Sequence, residues 1–253
     1  LSNYAICIPS KGRPDGKTFK LLKGMKNVFV FIEPQDRELY ENNEFNVIVL
    51  PDDDRGIGFA RKFITEHFFN ARKKFIFMID DDVMGIRKRE NKKYIRNENI
   101  KETFDDMFEF AKENNIALLG LAFSFITRFV RDESSFLDKG SVATFFLINV
   151  DKAITVGNFD ENIRLHEDTD MNIRLRKNGH AIGTFFDYSF ETVPLRRNDV
   201  GGNSEDYKRS TIFSEAMEEK HPDVVKSFVD KNGIGKIRTN YKKLRRRGTH
   251  EYW

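Results

Sequence analysis

Apolar residues in this chain come first in short dense runs and only later at helical spacing. "YAICIP" at 4–9 stops at Pro-Ser, with Gly12 and Pro14 beyond, and reads as a buried strand entering a turn. "NVFVFIE" at 27–33 and "FNVIVL" at 45–50 are rich in β-branched and aromatic residues, and helix-compatible stretches at 18–26 and 35–42 alternate with them. Residues 57–70 set Phe59, Phe63, Ile64 and Phe68 on one helical face, and "FIFMI" at 75–79 predicts a fourth strand. Strands apolar on both faces and joined by helices predict an α/β fold with a mostly parallel sheet covered on both sides.

The second half is more mixed. Ile100, Phe104, Met107, Phe108 and Ala111 predict an amphipathic helix over 99–115, and strand-like runs follow at 116–125, 142–150 and 181–190. A helix is expected over 167–178, stopped by Asn178-Gly179, and another over 205–232. The last eighteen or so residues are basic and expected to be loosely ordered. No internal repeat and no Gly/Ser-rich or Pro-rich linker marks a boundary, so one domain over 1–253 is the simplest organisation.

Composition supports a packed core: 39% of the 253 residues are hydrophobic and 13% aromatic. No apolar run approaches the roughly 18 residues that span a bilayer, so membrane insertion is not expected. The first residues enter the apolar run without a basic region and a long apolar segment, so no secretion signal is read there. The single cysteine, Cys7, forms no internal disulfide, which fits a reducing compartment and the cytoplasm. The net charge of +3 is unevenly spread. Residues 86–101 carry seven basic residues against two acidic, and residues 236–253 carry seven against one, leaving the rest acidic. Such a distribution suits a surface that meets a polyanion, although charge runs are also ordinary solvated faces.

Two acidic clusters carry candidate chemistry. Asp80, Asp81 and Asp82 follow the fourth strand directly, where ligands bind in open α/β sheets. Side chains alternate along an extended chain, which would place Asp80 and Asp82 together, and such a pair is stabilised by a hard divalent cation such as Mg²⁺ or Mn²⁺. An acidic turn closing the strand is the plain alternative. The second cluster, "HEDTD" at 166–170, reads equally as a functional set or as acids opposing a helix dipole, with Asp170 and Arg174 an i,i+4 pair.

The order of "IPSKGRP", "RGIGFARK", a strand ending in Asp-Asp-Asp and "GNFDENIRLHEDTDMNIRLRKNG" resembles GT-A nucleotide-sugar glycosyltransferases over roughly residues 4–190. Gly157, Phe159, Asp160, Glu161, Glu167, Asp168, Asp170, Arg174 and Gly179 match that class's second motif. The resemblance implies a Rossmann-like GT-A fold with a nucleotide-binding half (1–90), an acceptor and catalytic half (91–195), and a lid, helices and basic tail (196–253). It further implies that Asp82 and Asp80 bind Mn²⁺ or Mg²⁺, with Asp80 and Asp81 near the nucleoside. Pro9, Ser10, Lys11, Arg13 and Arg61 would meet a UDP-sugar donor, and Glu167 and Asp168 would face sugar and acceptor. His166, His221 and His250 are candidates for a third metal ligand, and Arg196 or Arg197, in the glycine-containing segment 196–204, for reaching the diphosphate.

In such chemistry a nucleoside diphosphate departs once its developing charge is neutralised, and in an inverting transfer Asp168 would be the base. If configuration is retained, the same acids would stabilise positive charge on the sugar. The basic stretches, with Arg87, Lys88, Arg89, Lys92, Lys93, Lys242, Lys243, Arg245, Arg246 and Arg247, would bind a DNA backbone, and Tyr94 and Tyr241 could stack on bases. On these features and "IPSKGRP" the chain resembles phage-encoded TET-associated DNA glycosyltransferases, which implies transfer of glucose or a pentose such as arabinose to 5-hydroxymethylcytosine. A polysaccharide or glycolipid acceptor, and metal-dependent nuclease or phosphoryl-transfer chemistry, are the alternatives. Nothing in the sequence sets an oligomeric state.

Overall fold

A computed structural model describes residues 3–127, 134–138, 141–193, 206 and 208–244. Its first half alternates as the apolar runs predict: β1 (Ala5–Ser10), α1 (Lys17–Leu21), β2 (Val28–Ile32), a 3-10 turn (Pro34–Tyr40), β3 (Asn46–Val49), α2 (Ile57–Asn70) and β4 (Phe75–Ile79). These four strands pair in parallel in the order β3-β2-β1-β4. The helix expected at 18–26 is short, because Gly24 turns the chain at φ 82°. The stretch expected at 35–42 is a 3-10 turn opening on Pro34.

A hairpin, β5 (Val83–Glu90) and β6 (Lys93–Arg96), follows, and then α3 (Ile100–Glu113), β7 (Leu118–Phe123), α4 (Ser124–Thr127), β8 (Phe136–Leu137), β9 (Phe145–Asn149), α5 (Val150–Thr155), α6 (Glu167–Lys177) and β10 (Ile182–Thr192). The path continues β4-β9-β7-β10-β5-β6, with β9 antiparallel to both neighbours and β7 parallel to β10. Residues 86–96 were legible only as part of a charge run. They form a hairpin whose two-residue turn, Asn91-Lys92, takes positive φ at both positions, the backbone twist that suits tight hairpins.

Alternation along β1 divides the core. Ile6 and Ile8 face a layer with Phe19 and Leu22 beside α1 and Phe104, Met107 and Phe108 of α3; Ala5 and Cys7 face Ala60, Ile64 and Phe68 of α2 and Met171 and Leu175 of α6. Gly58 lets α2 approach the 160–163 loop, since a Cβ there would stand 2.6 Å from Ile163 O. α6 ends as expected: Gly179 (φ 73°) and His180 donate back to Arg176 O and Leu175 O at 2.9 and 3.0 Å.

The helix expected over 205–232 is corrected. Helix α7 (Ser210–Lys220) ends before Pro222, which cannot continue it, and β11 (Val225–Val229) and β12 (Gly235–Thr239) form a separate hairpin, followed by a 3-10 turn at Tyr241–Leu244. Val224, Val225 and Met217 of this unit pack on Ile163 and Ile173. Among the described residues no helix is long and apolar enough to cross a membrane.

Candidate active site

The carboxyl ends of β1, β2 and β4, the start of α2 and the start of α6 open into one cavity of about 930 Å³. Asp80–Asp82 forms its floor, and neighbouring elements pin this turn. The Thr18 hydroxyl donates to Asp80 O at 2.6 Å and accepts from Val83 N at 3.0 Å, while Thr18 N donates to Asp81 O at 3.2 Å. On the other side Asp80 N donates to Thr144 O at 3.0 Å; Thr144 is β-branched yet held at φ 63°, a backbone state that such residues rarely adopt.

The three carboxylates part company beyond the strand end. Asp81 is buried and accepts from Ser10 Oγ at 2.6 Å and Arg13 Nη1 at 3.2 Å; Ser10 Oγ also meets Tyr40 OH at 2.7 Å. Asp80 accepts from Arg61 Nη2 at 2.9 Å, and Arg61 Nη1 reaches Glu167 Oε1 at 2.6 Å. The Arg61 guanidinium is buried and lies 5.2 Å from the Phe146 ring centroid. Lys11 bridges Glu33 at 3.0 Å and Asp54. Asp82 is different: its Oδ1 is buried and has no hydrogen-bond partner among the described residues.

Burial, with the charges of Asp80 and Asp81 added, pushes the Asp82 carboxyl up to about 7. Burial also raises Asp80 and Asp81 against the opposing effects of Arg61 for the first and Ser10 and Arg13 for the second. An unpartnered carboxylate oxygen in a negative, partly desolvated turn fits a divalent cation. Among the described residues no group of three or more His, Cys, Asp or Glu side chains could cage one unaided. The donor set therefore suits an ion bound through one or two carboxylates and completed by substrate phosphates.

At the start of α6 the acidic run splits between two environments. Asp168 lines the cavity and Oδ1 accepts from Thr169 N at 2.5 Å. Glu167 is buried against Arg61 and its carboxyl is raised by burial, an effect that Arg61 opposes. Asp170, about 200° further round the helix from Asp168, is fully buried and faces α7 instead. It takes His221 Nε2 at 2.8 Å and Arg174 Nε at 2.8 Å. His221 is therefore removed as a third metal ligand. His166 lines the cavity with a buried, unpartnered Nε2, in left-handed backbone at φ 72°, and burial lowers its pKa.

The sequence model of the TET-Associated Glycosyltransferase family matches residues 4–201. This chain belongs to that family. Among solved structures, a mannosyltransferase from Pyrobaculum calidifontis, in complex with GDP-Man and Mn²⁺, is similar at TM-score 0.60 and 9% identity, covering 87% of this chain and 64% of its own. S. aureus TarS 1-349 in complex with UDP is similar at TM-score 0.50 and 14% identity, covering 85% and 65%. This family member thus spans just under two thirds of the length of these structures, with which it shares the GT-A type of fold. No curated protein sequence matches the chain.

The expected nucleotide-side residues Pro9, Ser10, Lys11, Arg13, Arg61, Asp80 and Asp81 all line this cavity, with Asp82, Glu167 and Asp168. Of the basic residues expected to meet DNA, three on β5 are paired with acids. Arg87 Nε pairs with Glu191 at 2.7 Å, Lys88 with Glu102 at 2.5 Å and Arg89 with Asp187 at 2.6 Å. Lys92 occupies the hairpin turn, and Lys93 is exposed at the start of β6. Lys242 is exposed on the final 3-10 turn, and Lys243 donates to Asp223 O at 2.9 Å. Arg245, Arg246, Arg247, His250 and the 196–204 segment lie outside the described residues.

Tyr94 and Tyr241, read as able to stack on bases, are both half-buried and hold protein contacts. Tyr94 OH donates to Phe186 O at 2.6 Å, and Tyr241 lies under Arg176, whose guanidinium carbon is 5.3 Å from the ring centroid. Sequence reading missed Arg164, which donates to Asp206 at 2.7 Å and Asp54 O at 2.7 Å, and the cavity residues Phe123, Phe125 and Ile234–Ile237. Of these, only Arg164 stands in a motif the sequence singled out.

Proposed function

We propose that this family member transfers a sugar, glucose or a pentose such as arabinose, from a UDP-sugar to the hydroxymethyl group of 5-hydroxymethylcytosine in phage DNA. The observation that carries the reading is the unpartnered, buried Asp82 oxygen in the same cavity as Asp168. Leu50, with the buried Phe31 behind the same wall, would give the nucleobase an apolar side, and Ser10, Lys11 and Arg13 offer polar contacts to ribose and diphosphate. Asp82 and Asp80 would hold Mn²⁺ or Mg²⁺, which when bound neutralises charge on the diphosphate. The bond from the anomeric carbon to the diphosphate oxygen breaks with its electron pair leaving on the diphosphate. The hydroxymethyl oxygen forms the new bond, and its proton goes to Asp168 in an inverting transfer. Arg61 orients Glu167 and Asp80 around the sugar. The buried thiol of Cys7 suits a reducing, cytoplasmic setting.

The pairing of Arg87, Lys88 and Arg89 favours a second reading, a polysaccharide or glycolipid acceptor that needs no basic hairpin. Mass spectrometry of hydroxymethylcytosine-containing DNA, incubated with Mn²⁺ and a panel of UDP-sugars, separates the readings. A mass gain of one sugar supports DNA transfer. Unmodified DNA across the panel sinks it, and nicked DNA without donor consumption points to phosphoryl chemistry.

A further inference from the structure

Strand order gives the cavity two ends. Ser10, Phe31 and Leu50 stand at or just past the ends of β1, β2 and β3 on one side of β4, whereas Phe123, Thr192 and Val193 stand at or just past the ends of β7 and β10 on the other. Asp80–Asp82, following β4, lies between. If the first end takes the nucleotide, the second is left for the acceptor.

That second end presents an open aromatic ring. Phe125 is 62% exposed although it lines the cavity, in contrast to the buried phenylalanines of the core. Its ring is 5.4 Å from Phe123, which is in turn 4.4 Å from Phe190, so one side of it is backed by a short aromatic stack. The turn that carries it is fastened to β10: Ser124 Oγ donates to Phe190 O at 3.0 Å and meets Ser189 Oγ at 3.2 Å. Thr127 Oγ1 closes the same turn on Ser124 O at 2.7 Å.

We infer that Phe125 is the platform on which the acceptor pyrimidine stacks once it has left the duplex. The inference rests on the reading of a hydroxymethylpyrimidine acceptor. A hydroxymethyl group carried by a base inside the helix must be brought to Asp168, and an extruded base loses its stacking neighbours. A fixed, exposed aromatic ring replaces them without demanding a particular sequence. Phe125 thereby positions the acceptor base.

The test uses the full chain with a hydroxymethylcytosine oligonucleotide and the UDP-sugar it accepts. Phe125→Ala and Phe125→Leu should raise the KM for the oligonucleotide roughly 10- to 100-fold without raising the KM for the donor, and Phe125→Trp should restore it. Leu replaces the apolar bulk but not the flat ring, so a Leu variant as good as wild type overturns the platform. A second readout needs no turnover. In a Trp253→Phe background, the indole fluorescence of Phe125→Trp should be quenched by the hydroxymethylated oligonucleotide. Absence of quenching overturns the inference. Quenching in a protein that leaves the DNA unmodified supports the platform while the proposed transfer falls.

Discussion

His221 Nε2 stands 2.8 Å from Asp170 Oδ1, both side chains buried, and this contact joins α7 to the helix that carries Asp168. Lys220 Nζ reaches the same oxygen at 3.0 Å, and Arg174 holds the other. Through this carboxylate the C-terminal unit, which lies beyond the family match, is held where Ile234–Ile237 wall the cavity.

Burial alone would raise the Asp170 carboxyl, but the His221 hydrogen bond and the charges of Arg174 and Lys220 outweigh it and bring it down to about 2. A depressed carboxyl adds stability above its unfolded value near 3.9 and loses it as pH falls towards the folded value. Asp170→Asn should therefore lower stability by about 3 kcal/mol at pH 7, with the gap to wild type closing below about pH 4. Thermal melts at pH 7 and pH 3 check this; equal melting temperatures at pH 7 would remove Asp170 as the clamp.

Asp82 has the opposite sign. Its carboxyl, raised to about 7, disfavours the fold when ionised, so the penalty is complete above that pH and fades as pH falls towards 3.8. Asp82→Asn should melt higher than wild type at pH 8, with a smaller gain at pH 5. Mn²⁺ at about a hundredfold over its Kd should stabilise wild type by about 2.7 kcal/mol and leave the variant unmoved. The variant should also lose metal-dependent UDP release. Manganese stabilisation of Asp82→Asn equal to wild type would dismiss the metal assignment.

Arg61 spans two carboxylates with two nitrogens, to Glu167 and Asp80. A lysine offers one compact charge and cannot reproduce that fork. Arg61→Lys should lower kcat/KM by roughly 10- to 100-fold, the scale of one lost charge-assisted hydrogen bond. Steady-state kinetics decide; an unchanged value would mean that the bridge is structural only.

Lys17, Lys20, Lys23 and Lys26 are exposed along and just after α1, which is pinned to the acidic turn through Thr18, and no described residue pairs with them. If DNA is the acceptor, phosphate contacts belong there rather than on the hairpin. Replacing Lys17, Lys20 and Lys23 with Ala should flatten the slope of log affinity against log salt by about 2 to 3. Replacing Arg87, Lys88 and Arg89 should change it by less than about 1. The reverse ranking, measured by fluorescence anisotropy, would return the DNA track to the hairpin.

The sequence by itself determined the elements whose signals are local. "FIFMI" is β4 residue for residue, because a short apolar run between polar stretches has one good home in a covered sheet. Asn178-Gly179 ended α6 as read, and the acids beyond β4 and at the start of α6 announced the cavity before any packing was known. Tertiary structure decided which charges remain available. Arg87 meets Glu191 across 104 residues and Arg89 meets Asp187 across 98, pairings that depend on β5 lying beside β10. It likewise sent Asp168 to the cavity and Asp170 to His221, and left Phe125 open while tying Tyr94 to Phe186 O and setting Arg176 over Tyr241. A residue's type travels with the chain, but its partners are set by strand order and helix docking, which no local pattern encodes.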